Sequence, residues 1–365
     1  MQPAAARAAD DTSRFEPQLT PILESAVRER HLPGLALAVV AGGKMVYARG
    51  FGVKSVDAPD EKVSPESLFH MASVTKTFVA TSVMQLAEQG KVDLDAPVIT
   101  YLPYFKLNDA RFRTITVRQL LTHSSGMPDV VDYEWHKPQY DGGALERYVR
   151  GLSNHSLIAA PGARTRYSNM AYEVLGDLIA KVSGEEFEDY VARHILRPLG
   201  MKHSTLLLKE ADPALLVRPH RLNSSGELSV SPVFPYNRIH APSSTLYSNV
   251  VDMARFAIAN LQRGELDGTR ILKVDTIEAM WAPSRGGEVP NIGICWFLGK
   301  YRDHQKVSHS GGDVGFRSNL VLLPQQNIGV VLMTNCDRAS LGPLTDAALD
   351  VALGIEPKRP AHGSK

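Results

Sequence analysis

The sequence predicts a mixed α/β protein in which one sheet is built from both ends of the chain and a mainly helical domain interrupts it. Three observations predict this. Leu35–Val40 and Met45–Phe51 read as two strands around the turn Ala41-Gly42-Gly43-Lys44. Strand-like runs return near the C-terminus, at Ile292–Phe297, Lys306–His309, Asn319–Leu323 and Ile328–Thr334. Between them, from Leu94 to Arg270, short helical patterns and long loops follow one another with no sustained alternation of apolar and polar residues. Because a sheet must bury its faces against helices, this pattern sets a discontinuous α/β domain over residues 15–93 and 271–355 and a mainly helical domain over 94–270. A disordered tail is expected at 1–14 and a polar tail at 356–365.

Taken in order, Phe15, Leu19, Ile22, Leu23 and Val27 recur at helical spacing up to Arg30, and Leu32-Pro33-Gly34 ends that helix. The first hairpin follows. Val63–His70 is irregular, with Phe69 as a core contact, and an apolar helix then starts at or just before Ser73 and stops at Gly90. Leu120–Pro128 is a helix end running into a polar loop, where His123 reads as a hydrogen bonder bracing the loop rather than a catalyst. Pro161–Asn169 is a turn that delivers Tyr167 to the start of a helix running through Tyr172, Leu175 and Ile179 to Ser183-Gly184. Glu186–Leu196 and the amphipathic Asn249–Gln262 are further helices, and Leu206–Tyr247 is a Pro- and Ser-rich loop region. A last helix covers Leu344–Leu353, after a turn at Pro324–Asn327.

Composition bounds the function. Hydrophobic residues at 44% and charged residues at 22% are those of a globular protein, and 365 residues suffice for a large core. With 40 basic and 39 acidic residues, no bulk field favours nucleic acid or an anionic membrane. No run has the length of a membrane span, and Met1–Asp11 lacks the apolar core of a signal peptide. Two cysteines, Cys295 and Cys336, make neither a disulfide framework nor a metal cluster, so no cofactor is expected. The partner left is a small molecule. The compartment stays open between cytoplasm and periplasm, and self-association stays open too.

Three polar sites stand out against this background. Ser73 and Lys76 lie three residues apart, on one face of a helix that is otherwise apolar nearly all round. A lysine held in apolar surroundings disfavours its charge, and a neutral amine one turn from a serine can take that serine's proton. Tyr167 with Asn169 and the run His309-Ser310-Gly311-Gly312 are the other two. A phenol offers a second proton relay, and strand N–H groups at glycines can approach a carbonyl oxygen closely. Each also has a plain reading: Ser73 as an N-cap, Lys76 as a solvated lysine, Tyr167 as a core tyrosine, Asn169 as a helix cap, and Gly311-Gly312 as a bulge.

Together, Ser73-Val74-Thr75-Lys76, Tyr167-Ser168-Asn169 and His309-Ser310-Gly311-Gly312 resemble the serine β-lactamase and penicillin-binding-protein-like superfamily. The branch most similar holds class C β-lactamases, family VIII carboxylesterases and D-aminopeptidases. Leu120–Met127, Pro161-Gly162 and Pro198–Met201 add to the likeness, which spans residues 15 to 355. The resemblance implies an antiparallel sheet flanked by helices, with an inserted helical domain. It also implies Ser73 as nucleophile, Lys76 and Tyr167 as a shared acid/base pair, and Asn169 as an organiser of the site. The N–H groups of Ser73 and Gly312 would form the oxyanion hole, with Gly311 and His309 beside the substrate.

One departure bears on substrate. Where relatives place Lys-Thr-Gly, this chain has His309-Ser310-Gly311. A neutral imidazole weakens the hold on an acidic substrate, which disfavours efficient penicillin turnover and suits neutral esters or amides such as D-amino-acid derivatives. A carboxylesterase on small neutral esters is the first reading, with a D-amino-acid amidase or peptidase, or a weak β-lactamase, as the alternative. His309 reads equally as a structural residue. With neither Gly-x-Ser-x-Gly nor His-Glu-x-x-His present, an α/β-hydrolase elbow and a zinc peptidase drop out. The rival of another class is a catalytically silent binder of penicillin or peptide, or a scaffold. Substrate choice is expected from the loops Val130–Gly142 and Leu222–Tyr247.

Overall fold

The computed structural model describes residues 12–29, 32–223, 225, 227–284 and 291–358. Twelve elements frame the site: α1 (Phe15–Glu29), β1 (Gly34–Ala41), β2 (Lys44–Ser55), β3 (Ala58–Lys62), α2 (Lys76–Glu88), α3 (Asn169–Ser183), α4 (Val250–Leu261), β4 (Phe297–Tyr301), β5 (His304–Asp313), β6 (Phe316–Leu323), β7 (Ile328–Thr334) and α5 (Gly342–Leu353). Seven strands form one antiparallel sheet in the order β4-β5-β6-β7-β1-β2-β3. The two ends of the chain meet at β1 and β7, paired from Leu35↔Thr334 to Ala41↔Ile328.

Strand β1 explains why the sheet has helices on both faces. All eight of its residues are buried. Its Leu35, Leu37 and Val39 join an apolar layer with α1 and α5, whereas Ala36, Ala38 and Val40 join the larger layer that holds α2, α3 and α4. The small alanines let α4 lie close on β1 and β7. Helix α2 is buried from Lys76 to Leu86, and Phe78 stacks on Phe256 of α4 with ring centroids 4.1 Å apart. Its end at Glu88 puts Gly90 just beyond, as the sequence predicts.

Several boundaries differ from the sequence-based expectation. Ile292–Phe297 is not a strand: Cys295 has a left-handed φ of 72° and the segment turns before β4 begins at Phe297. Strand β5 is longer than Lys306–His309, because the register with β6 continues through Gly311 and Gly312 to Asp313. Thr12–Arg14 is a 3-10 turn leading into α1 rather than part of a tail. Residues 1–11 of that expected tail, and 359–365 of the C-terminal one, lie outside the described residues. Among the described residues, no helix is long and apolar enough to cross a membrane.

Candidate active site

Ser73 is the second residue of a 3-10 turn, Ala72–Thr75, that feeds directly into α2. It caps nothing. Ala72 holds a left-handed φ of 46°, rare for a residue with a side chain, and Thr75 pins the turn by donating to the Ala72 carbonyl at 2.6 Å and accepting from the Leu246 N–H at 3.0 Å. The turn packs on the sheet because Gly311 lacks a side chain: a Cβ there would lie 2.2 Å from the Met71 carbonyl oxygen and 3.1 Å from Ala72 Cβ. Ser318 of β6 locks the contact by donating to Met71 O at 2.6 Å.

The Lys76 amine is fully buried and donates to Ser73 Oγ at 3.1 Å and to the Ser243 carbonyl at 2.7 Å. Burial lowers its pKa from 10.5 to about 8, against the opposing pull of Glu173 and, more weakly, of Asp129 and Asp313. The plain reading of a solvated lysine does not hold. Tyr167 packs over the same amine, with Nζ 5.1 Å from its ring centroid, and stacks on His123 at 4.2 Å. Its hydroxyl is buried with no hydrogen bond of ordinary geometry, although Ser73 is near enough to favour its ionised form. Burial dominates and pushes the phenol pKa well up, so Tyr167 keeps its proton at neutral pH.

His123 itself accepts from the Ser168 N–H at Nδ1, 3.2 Å away, and burial holds its pKa well below the ordinary value. It braces the loop. The N-cap of α3 is Ser168, which accepts from the Ala171 N–H at 3.1 Å and donates to Pro128 O at 2.7 Å. Asn169 is therefore not the cap, and its amide donates to Asp129 Oδ1 at 2.9 Å.

The open face of this arrangement is a cleft of about 360 Å³. Ser73, Tyr167, Phe297, His309, Gly311, Gly312 and Arg317 line it, and Asn169 does not. Strand β4 stops pairing with β5 at Phe297↔Ser308, so residues 309–313 run on beyond its end. The His309 ring is 1% exposed and its pKa falls to about 3, chiefly through burial and then the Lys76 charge. It is neutral, with Nδ1 2.9 Å from Ser310 O and Nε2 unpartnered. A larger groove of about 930 Å³, between α1 and residues 354–357, has no serine–lysine pair.

Sequence reasoning missed two groups. Arg317 stands opposite Gly312 in the β5/β6 register, and a Cβ on Gly312 would meet its Nη1 at 1.7 Å. It brings into the cleft a positive charge that His309 does not. Asp313 ends β5 and accepts from Ser244 Oγ at 2.7 Å and from Trp135 Nε1 at 3.1 Å, with His70 Nε2 at 3.3 Å. That bond roots the loop 130–142 beside the site. Among the described residues, no group of three or more His, Cys, Asp or Glu side chains is placed to hold a metal ion.

An antiparallel sheet with a cleft serine beside a buried lysine, and a tyrosine over the amine, defines a penicillin-binding-protein-like serine hydrolase fold. Residues 19–353 match the Beta-lactamase family, and the chain belongs to it. It is similar to protein flp of Staphylococcus aureus (strain MW2), 28% identical over 89% of this chain. The chain spans only 64% of that relative's length. It is also 29% identical to penicillin-binding protein 4 of Amycolatopsis lactamdurans, over 84% of this chain and 82% of the relative. Among solved structures, an octameric penicillin-binding protein homologue from Pyrococcus abyssi superposes with a TM-score of 0.81 at 29% identity, over 93% of this chain and 78% of that one. SurE superposes at 0.77 with 25% identity, over 94% and 76%.

Proposed function

We propose that the protein is a carboxylesterase-like hydrolase that cleaves small neutral esters through an acyl-Ser73 intermediate. One observation carries the reading: a fully buried amine 3.1 Å from Ser73 Oγ whose proton affinity is lowered to about 8. Lys76 takes the Ser73 proton as Oγ attacks the ester carbonyl carbon, and the oxyanion forms toward the N–H groups of Ser73 and Gly312. Collapse breaks the bond to the alkoxy oxygen, which leaves as the alcohol with a proton from Tyr167. Lys76 passes its proton on to restore the phenol. Water then attacks the acyl-enzyme, its proton returning to Ser73, and releases the acid. The neutral His309 and the apolar Phe297 face support an uncharged substrate.

Arg317 favours a second reading, hydrolysis of carboxylate-bearing amides such as D-amino-acid peptides, because a guanidinium is a strong carboxylate partner. A panel of p-nitrophenyl butyrate, nitrocefin and a D-alanyl amide decides between them. Ester turnover well ahead of the other two is expected; faster hydrolysis of nitrocefin or the amide would replace the esterase reading. Fluorophosphonate treatment followed by peptide mapping should place the adduct on Ser73, and an adduct on Ser124 or Ser310 would remove Ser73 from its role.

A further inference from the structure

Behind the Ser73–Lys76 pair lies a second polar layer that the acyl transfer does not itself use. Glu173, on α3, is 0% exposed, between Tyr172 and Val174 in a helix that also buries Asn169 and Asp177. Its Oε1 accepts from Ser243 Oγ at 2.6 Å and lies 2.9 Å from His240 Nδ1, while Oε2 has no partner. Ser243 presents its backbone carbonyl to Lys76 Nζ at 2.7 Å. One residue thus joins the carboxylate, through its side chain, to the amine, through its main chain. The approach depends on Gly176, where a Cβ would lie 2.1 Å from Pro242 Cγ and drive α3 off the Ala241–Ser244 turn. The Tyr133, Trp135 and Tyr148 rings hold His240 from its other sides, at centroid distances of 4.8, 5.6 and 5.5 Å.

A buried carboxylate with an idle oxygen is costly unless a cation balances it. Besides the His240 ring in direct contact, the charge that acts on it is the Lys76 ammonium, reached through Ser243. We infer that Glu173 is a positioning residue for Lys76: through Ser243 it fixes the carbonyl that receives the amine, and its charge favours the ammonium formed when Ser73 gives up its proton. The inference rests on Lys76 being the base proposed above. Burial works against that ammonium, and among the charges that favour it Glu173 is the strongest, ahead of Asp129 and Asp313. The other groups around the amine are neutral near pH 7: Cys295, with its pKa raised to about 12, Tyr167 and Tyr172, and His123 and His309.

The test is the pH dependence of Ser73 labelling by a fluorophosphonate in wild type, Lys76→Ala and Glu173→Gln, with circular dichroism on each protein. Wild-type rates should rise along a limb near the Lys76 pKa of about 8, and Lys76→Ala should lose that limb. Glu173→Gln should move the limb down by about one pH unit, since the amine then sheds its proton more readily. Its plateau should fall about tenfold, because the carbonyl is no longer held. A folded Glu173→Gln protein with the wild-type limb overturns the inference while leaving Lys76 as base. A Lys76→Ala protein that keeps the limb removes the base assignment instead, and this inference with it. Should Glu173→Gln fail to fold, Ser243→Ala keeps the carbonyl and deletes the hydroxyl link; several-fold slower labelling supports the inference and wild-type rates overturn it.

Discussion

At the scale of single residues, burial sets which group of the proposed site can take up a proton and which can give one. Lys76, lowered to about 8 by desolvation, is the group that can be unprotonated near neutrality, whereas burial keeps Tyr167 a phenol. Activity should therefore climb with pH to a plateau above about 8 and not fall again through Tyr167 ionisation at mildly alkaline pH. Lys76→Ala and Tyr167→Phe should each lower kcat by about a hundredfold or more, and their joint effect should be less than the product, since in the proposed mechanism they serve one relay. Strict multiplicativity in a double-mutant cycle would show two separate functions. Arg317 carries a second prediction: Arg317→Gln should lower kcat/KM for a carboxylate-bearing substrate about tenfold or more relative to p-nitrophenyl butyrate, the worth of one charge-assisted hydrogen bond. An unchanged ratio would leave Arg317 a purely structural group bonded to Asp337 O. The Ser73–Lys76 pair was legible in the sequence because a three-residue spacing puts both on one face of a helical turn, although Ser73 falls in the 3-10 turn before α2 rather than on the helix itself. Arg317 and Glu173 were not, since they reach the site only through strand register and helix packing, although a glutamate inside the apolar run around Tyr172–Leu175 was a signal in plain view.

At the scale of elements, the site is a contact between a helix-leading turn and a strand, and Gly311 sets how close they come. Gly311→Ala puts a methyl 2.2 Å from the Met71 carbonyl, so the Ser73 turn must lift from β5. Overpacking of this kind costs about 1–3 kcal/mol. The variant should lose stability on that scale in urea and lose far more activity than stability, because the proposed oxyanion and nucleophile positions separate. A variant with normal kcat would mean that the strand edge does not help form the site. The elements legible in advance were those with a strong local pattern: β1, apolar on both faces, and the amphipathic α4 capped by Asn249. Strand β3, Ala58–Lys62, is a charged and mostly exposed edge, a composition that protects an edge from pairing and also hides it from a search for apolar alternation. Ile292–Phe297 misled for the opposite reason: its apolar residues fill the core from turns, with Cys295 in a left-handed conformation.

At the scale of the whole molecule, the fold bears a cost for holding an amine in its core. Helices on both faces of the seven-stranded sheet exclude water from Lys76, and the three carboxylates around it recover only part of the ammonium's lost hydration. The unfolded chain keeps this proton up to the ordinary 10.5, the folded one only to about 8. Between those values the unfolded state binds more protons, so this group makes stability rise with pH. Below about 8 both states are protonated and the full cost is present, on the order of 3 kcal/mol for a shift of this size. Lys76→Met keeps the length of the side chain and removes the charge. It should abolish turnover yet unfold at higher urea concentration than wild type near neutral pH, by up to about 3 kcal/mol, offset by the lost hydrogen bond to the Ser243 carbonyl. The margin should shrink steadily as the pH rises from about 8 through 10.5, above which wild-type Lys76 is neutral in both states. A Lys76→Met protein no more stable than wild type near neutrality would mean that Glu173 and its neighbours fully balance the buried ammonium, and that the catalytic amine is no burden on the fold.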